Sequence, residues 1–91
     1  MTDRIEYETL TTHRVTARGM RQIRAWVEQW LHPRTRASMS QYDLHDMVLA
    51  YAADAESTDD GLIEMRPWET WDGCPATLQP ERETRTVLEP L

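Results

Sequence analysis

Ninety-one residues, 40% hydrophobic and 29% charged, suffice for one globular domain and exclude wholesale disorder. The formal net charge of −6 is split along the chain: residues 1–36 carry seven arginines against four acids, a net of +3, and residues 37–91 carry three against twelve, a net of −9. The lone cysteine, Cys74, excludes an internal disulfide and suits a reducing cytoplasm, and no stretch nears the roughly 20 apolar residues of a membrane span.

Residues 1–6 lack the apolar run of a signal peptide, so the expectation is a cytoplasmic protein with no membrane partner. Lysine, asparagine and phenylalanine are absent together, and their codons are AT-rich, which points to a GC-rich bacterial or phage genome. Without Phe, the bulk of the core falls to four Trp, three Tyr and five Met.

Residues 4–9 alternate, with Ile5, Tyr7 and Thr9 on one face and Arg4, Glu6 and Glu8 on the other, so they predict a strand that can run on to Val15. A helix follows over about 17–31: Met20, Ile23, Trp26, Val27, Trp30 and Leu31 fall on one arc at spacings of three and four. Thr16 is its expected N-cap, with a later start at Gly19 as the alternative. Pro33 ends it, and residues 33–39 read as a basic connector. A second helix starts after Ser40 as N-cap, with Asp43 at the third position. Leu44, Met47, Val48, Tyr51, Ala52 and Ala55 make its core stripe. Tyr42, His45 and Leu49, continued by Ala53, make a second one. A helix apolar on two sides is either sandwiched within its own fold or touches a partner.

An acidic turn at 54–61 leads into a strand at 62–68, with Ile63 and Met65 inward and Glu64 and Arg66 outward; Pro67 confines it to an edge or an end. Residues 68–75 are turn-rich and 76–83 read as loop. Residues 84–88 close the chain as an edge strand or, with the rest of 76–91, as a loosely packed tail. The expected fold is α+β, a single domain over 1–91 with two amphipathic helices packed on a small, mainly antiparallel sheet of two or three short strands.

No cluster of side chains carries recognisable catalysis. His13, His32 and His45 have no metal-ligand spacing with one another or with Cys74, and Cys74 has no neighbouring base. A calcium loop aligned on Gly61 fails because its twelfth position, which must be a bidentate Glu, is Pro67. The expectation is therefore a non-enzymatic chain with no cofactor and no metal.

Binding features remain. Arg18, Arg21 and Arg24 step along the outer face of the first helix, with Arg34 and Arg36 on the connector. They are either donors to phosphates or acidic surfaces, or a solvated face in which Arg24 pairs with Glu28. Two helices in succession suggest a helix-turn-helix, but the second carries Asp43, Asp46 and Asp54 and no Arg, the wrong charge for a recognition helix. The acids Asp54, Glu56, Asp59, Asp60, Glu64, Glu69 and Asp72, five of them within 54–64, either serve surface solubility or suit the opposite role, offering negative charge to a basic groove on a nucleic-acid-binding protein. Trp68 and Trp71, three apart in a turn-rich segment, are either core or interface anchors.

The leading expectation is a protein-binding module, a small acidic inhibitor or adaptor of a larger protein. Tyr42, His45, Leu49, Trp68 and Trp71 would be its anchors, and the acids of 54–64 would set specificity. In size and charge alone the chain resembles inhibitors encoded by phages and mobile elements, anti-CRISPR proteins among them. The alternative is a DNA-binding regulator or antitoxin that uses Arg18, Arg21, Arg34 and Arg36 and forms a homodimer through the second helix.

Overall fold

A computed structural model describes residues 6–66 and 76–90. Residues 4–5, the end of the second expected strand at 67–68, the turn-rich segment with Trp68 and Trp71, and Cys74 lie outside the described residues.

The chain opens with β1 (Tyr7–Val15), whose run of β-branched Thr9, Thr11, Thr12 and Val15 favours extended backbone. Helix α1 (Ala17–Trp30) follows at once. Its N-cap is Thr16, whose hydroxyl accepts the Gly19 N–H at 3.0 Å, so the helix does not begin late at Gly19. Gly19 is buried for another reason: a Cβ there would run into the Glu81 carbonyl oxygen and Val15 Cγ1, where the far end of the chain docks on the helix start.

The connector is a correction. Residues Pro33–Ser38 form a short helix, α2, with the His32 ring Nδ1 accepting the Arg34 N–H at 3.1 Å. Proline ends α1 and starts α2, because its fixed φ and missing N–H suit the first helical position as well as they disrupt an interior one. Helix α3 (Gln41–Ser57) then starts on a complete capping box: the Asp43 N–H donates to Ser40 Oγ at 3.1 Å, and the Ser40 N–H to Asp43 Oδ2 at 3.0 Å.

Helices α1 and α3 pack through Trp26, Trp30 and Tyr51, three rings in mutual edge-to-face contact with centroids 5.2–6.0 Å apart. Around them lie Ile23, Val27, Leu44, Val48 and Ala55, all buried, while Met20, Met39 and Met47 fill the margin. The expected core stripes of both helices are thus the observed ones, with Met20 and Met47 at their edges.

The helices pack on antiparallel sheet, as expected of an α+β chain, and the sheet is divided in two. Strand β2 (Ile63–Glu64) pairs with β3 (Thr77–Leu78), and β1 pairs with β4 (Arg82–Pro90). Ile63 and Met65 point inward and Glu64 and Arg66 outward, as the alternation implies. Residues 76–83, expected as loop, supply β3 and the start of β4. The alternative of a loose C-terminal tail gives way to a nine-residue strand paired along its whole length, from Val15 opposite Arg82 to Tyr7 opposite Pro90.

This β1–β4 ribbon is about 30 Å long at roughly 3.4 Å per residue. Only its base is covered: Val15 joins the core, and Tyr7 to Thr12 and Glu83 to Pro90 are exposed. The molecule measures 70 × 24 × 21 Å, with a radius of gyration of 18.0 Å where a compact chain of this length would have about 12 Å.

Candidate interaction surfaces

Helix α3 is amphipathic twice over. While Leu44, Val48, Tyr51, Ala52 and Ala55 turn inward, Tyr42 stands 82% exposed and Leu49 46% exposed on the far side, with His45 and Ala53 beside them. These residues recur at intervals of three, four and seven, so one helix face carries the whole stripe, and Glu56 extends it at the next seventh position. The structure therefore brings together Tyr42, His45 and Leu49 in solvent.

The stripe borders a groove of about 180 Å³ between α1 and α3. Met20, Leu44 and Val48 form its apolar part, and Arg21, Arg24 and His45 are its polar lining. Arg24 also sits 3.8 Å from Glu28, the expected pair one turn on. Arg18 leans the other way, 3.5 Å from Glu81. Arg34 is exposed and Arg36 half-buried on α2. The four arginines of the alternative reading thus have different surroundings: Arg18 meets the base of the ribbon, Arg21 lines the α3 groove, and Arg34 and Arg36 lie on α2.

The acids gather where α3 ends. Asp54 and Glu56 lie in its last turn, Asp59 and Asp60 follow, and Glu64 is exposed on β2. Asp60 has a local task, its Oδ1 accepting the Leu62 N–H at 2.9 Å, while its carbonyl accepts Gln79 Nε2 at 2.7 Å. A helix C-terminus already carries partial negative charge, so carboxylates there are placed against the dipole. The last turn holds no basic residue of its own.

The compensating cation comes from β4. Arg82 Nη1 donates to the carbonyls of Ala55 (2.8 Å) and Thr58 (2.6 Å), and Nη2 donates to that of Asp59 (2.6 Å). Gly61, at φ +69°, turns the chain directly against this guanidinium, and a Cβ there would overlap it. Sequence reading missed Arg82, which stands in the segment assigned to loop. The available signal was indirect: a helix that ends among acids without a cation in its last turn needs one from elsewhere.

Asp43 is held away from its ordinary ionisation. The Ser40 N–H bonded to its carboxylate, with the Ser40 hydroxyl behind it, lowers its pKa from the usual 3.8. Among the described residues no three His, Cys, Asp or Glu side chains are grouped to hold a metal ion, and no helix is long and apolar enough to cross a membrane. No family model matches the sequence, and neither a curated protein nor a solved structure is found to be similar to it.

Proposed function

We propose that this chain is a non-enzymatic protein-binding module, a small acidic inhibitor or adaptor, which seats the outer face of α3 in a groove of a larger protein that is apolar at one end and basic at the other. The observation that carries this reading is the Tyr42–His45–Leu49 stripe, fully outside the core and running into Glu56 and the acids of the α3 C-terminus. Aromatic and aliphatic side chains at helical spacing are what a helix offers to a groove. The acids add long-range attraction to a basic partner, and their position against the helix dipole costs stability that Arg82 offsets. A site maintained against local stability is more readily explained by binding than by folding.

The nucleic-acid alternative has less support. Arg18 is engaged with Glu81, and the free part of the ribbon carries Glu8, Glu83 and Glu89 against Arg14 and Arg85, an unfavourable balance for phosphates.

A photo-crosslinking amino acid at position 42, used in lysate with and without nuclease, separates the two. The proposal expects one protein adduct that survives nuclease and is lost when Asp54, Glu56, Asp59 and Asp60 are changed to Asn or Gln. Capture that vanishes with nuclease, and with Arg18→Ala plus Arg21→Ala, would overturn it.

A further inference from the structure

The ribbon leaves two strand edges open, and the two are not equivalent. The Thr16 N–H donates to the Glu81 carbonyl at 3.2 Å, and Thr16 lies opposite Glu81 in the register that pairs Val15 with Arg82. In an antiparallel ladder the pairs that exchange hydrogen bonds alternate with pairs that do not. Even-numbered residues of β1 therefore bond to odd-numbered residues of β4. The N–H and C=O groups of Tyr7, Thr9, Thr11, His13 and Val15 point to one free edge, and those of Arg82, Thr84, Thr86, Leu88 and Pro90 to the other. Pro90 fits this polarity, since its missing N–H falls on the solvent side.

The β4 edge is blunted. Pro90 offers no donor, and in the full-length antiparallel register of β4 with its own copy, centred on Thr86, Glu83 would face Glu89 twice. The β1 edge behaves oppositely. Only registers that join odd residues to odd residues satisfy its outward groups, and only the one centred on Thr11 overlaps all nine residues. In that register Thr9 meets His13, Thr11 meets itself on the two-fold axis, and Glu8 meets Arg14 at both ends. Tyr7, 57% exposed at the tip of the ribbon, comes opposite Val15, the residue through which the other copy's ribbon enters its core.

We infer that β1 is a dimerisation edge: two copies of this chain pair β1 with β1 antiparallel about Thr11, making a four-stranded sheet in the order β4–β1–β1–β4. Such an isologous contact closes on itself. It removes the more adhesive of the two open edges and adds strands to a ribbon that is marginal as two strands alone. It leaves the α3 stripe outside the seam and does not depend on the function assigned to that stripe.

Sedimentation of the full chain tests this. The wild type is expected to be a dimer at micromolar concentration. Glu8→Arg relieves the like-charge pair of Glu8 with Glu89 within the chain but sets like charges against Arg14 of the other copy twice. It should raise the dimer dissociation constant about tenfold or more. Arg14→Glu should do the same alone, and mixing the two variants should restore a heterodimer, because both cross-seam pairs become attractive again. Thr11→Pro removes a donor that the chain's own ladder does not use, so it should yield monomers with unchanged far-UV circular dichroism.

A measurement free of charge effects is Thr11→Cys in a Cys74→Ser chain. A hydrogen-bonded antiparallel pair has Cα atoms about 5.5 Å apart, within disulfide range, so mild oxidation should link the copies. A wild type that stays monomeric, a dimer indifferent to Glu8→Arg and Thr11→Pro, or a mixture that fails to pair would each overturn the inference.

Discussion

Arg82 joins two parts of the chain that are distant in sequence, and removing its guanidinium should be costly. Its three donated bonds end on the carbonyls of Ala55, Thr58 and Asp59, groups that the end of α3 leaves without helical partners. A hydrogen bond involving a charged group contributes about 1.5–3 kcal/mol, and a cation at a helix C-terminus about 0.3–1 kcal/mol more. The three bonds share one side chain and its ordering cost, and water can reach part of the site, so simple addition overshoots. A loss of about 2–4 kcal/mol is expected for Arg82→Met, against a total stability of roughly 5–14 kcal/mol for a chain of this length. Urea unfolding followed by circular dichroism would read it as a lower midpoint at unchanged slope, with a melting temperature lower by about 8 °C or more. Arg82→Lys keeps the charge but not the fork and should fall between the two. A change below about 0.5 kcal/mol would refute the reasoning, because the carbonyls would then be equally well served by water.

Gly19→Ala gives a test of sign. Helix propensity alone favours Ala by about 1 kcal/mol, whereas the approach of the Glu81 carbonyl predicts net destabilisation, so a higher melting temperature would contradict the docking of β4 on α1. Gly61→Ala should destabilise by more than about 1 kcal/mol through its positive φ and its contact with Arg82. In a double-mutant cycle with Arg82→Met the two losses should be less than additive, and strict additivity would deny the contact. Ser40→Ala should cost about 1 kcal/mol by thermal unfolding. The capping-box contribution of Asp43, whose pKa is lowered on folding, is complete above its ordinary value of 3.8 and is lost as pH falls through the lowered value. Acid titration of stability should therefore be shallower in Asp43→Asn, and an unchanged slope would count against the box.

The long helices are legible because their information is local. A 3.6-residue apolar period, Thr16 and Ser40 as caps, and Pro33 as a stop are all contained within a few turns. The short α2 is not, since six residues with no buried side chain display no period, and the same Pro33 that signals an end also makes a beginning. Strand β4 is hidden for a different reason. Alternation is a record of one wet and one dry face, and residues 83–90 are exposed on both. Their strand character depends on pairing with residues more than 65 positions away, which no local pattern reports. Tyr42, His45 and Leu49 could be singled out because the core needs only one stripe of α3; the sequence offers two.

The junction at residues 81–82 explains how a ribbon with so little burial holds a fixed direction. The Glu81 carbonyl accepts the Thr16 N–H, the Glu81 N–H donates to Gln22 Oε1 at 2.8 Å, and its carboxylate lies near Arg18. One residue later Arg82 locks the end of α3, while Val15 across the ladder enters the core. The base of the ribbon is thus tied to the first turn of α1 and the last turn of α3, and the exposed remainder is a two-stranded extension of that anchor. Two strands alone are marginal in water, and the anchor stabilises only the proximal pairs. Amide exchange should therefore be slow at Arg14 and Glu83 and faster at Leu10 and Val87 in a monomer. If β1 pairs across the two-fold, protection should instead extend to the outward amides of Thr9, Thr11 and His13. The gradient along the ribbon thus reports whether its open edge is occupied.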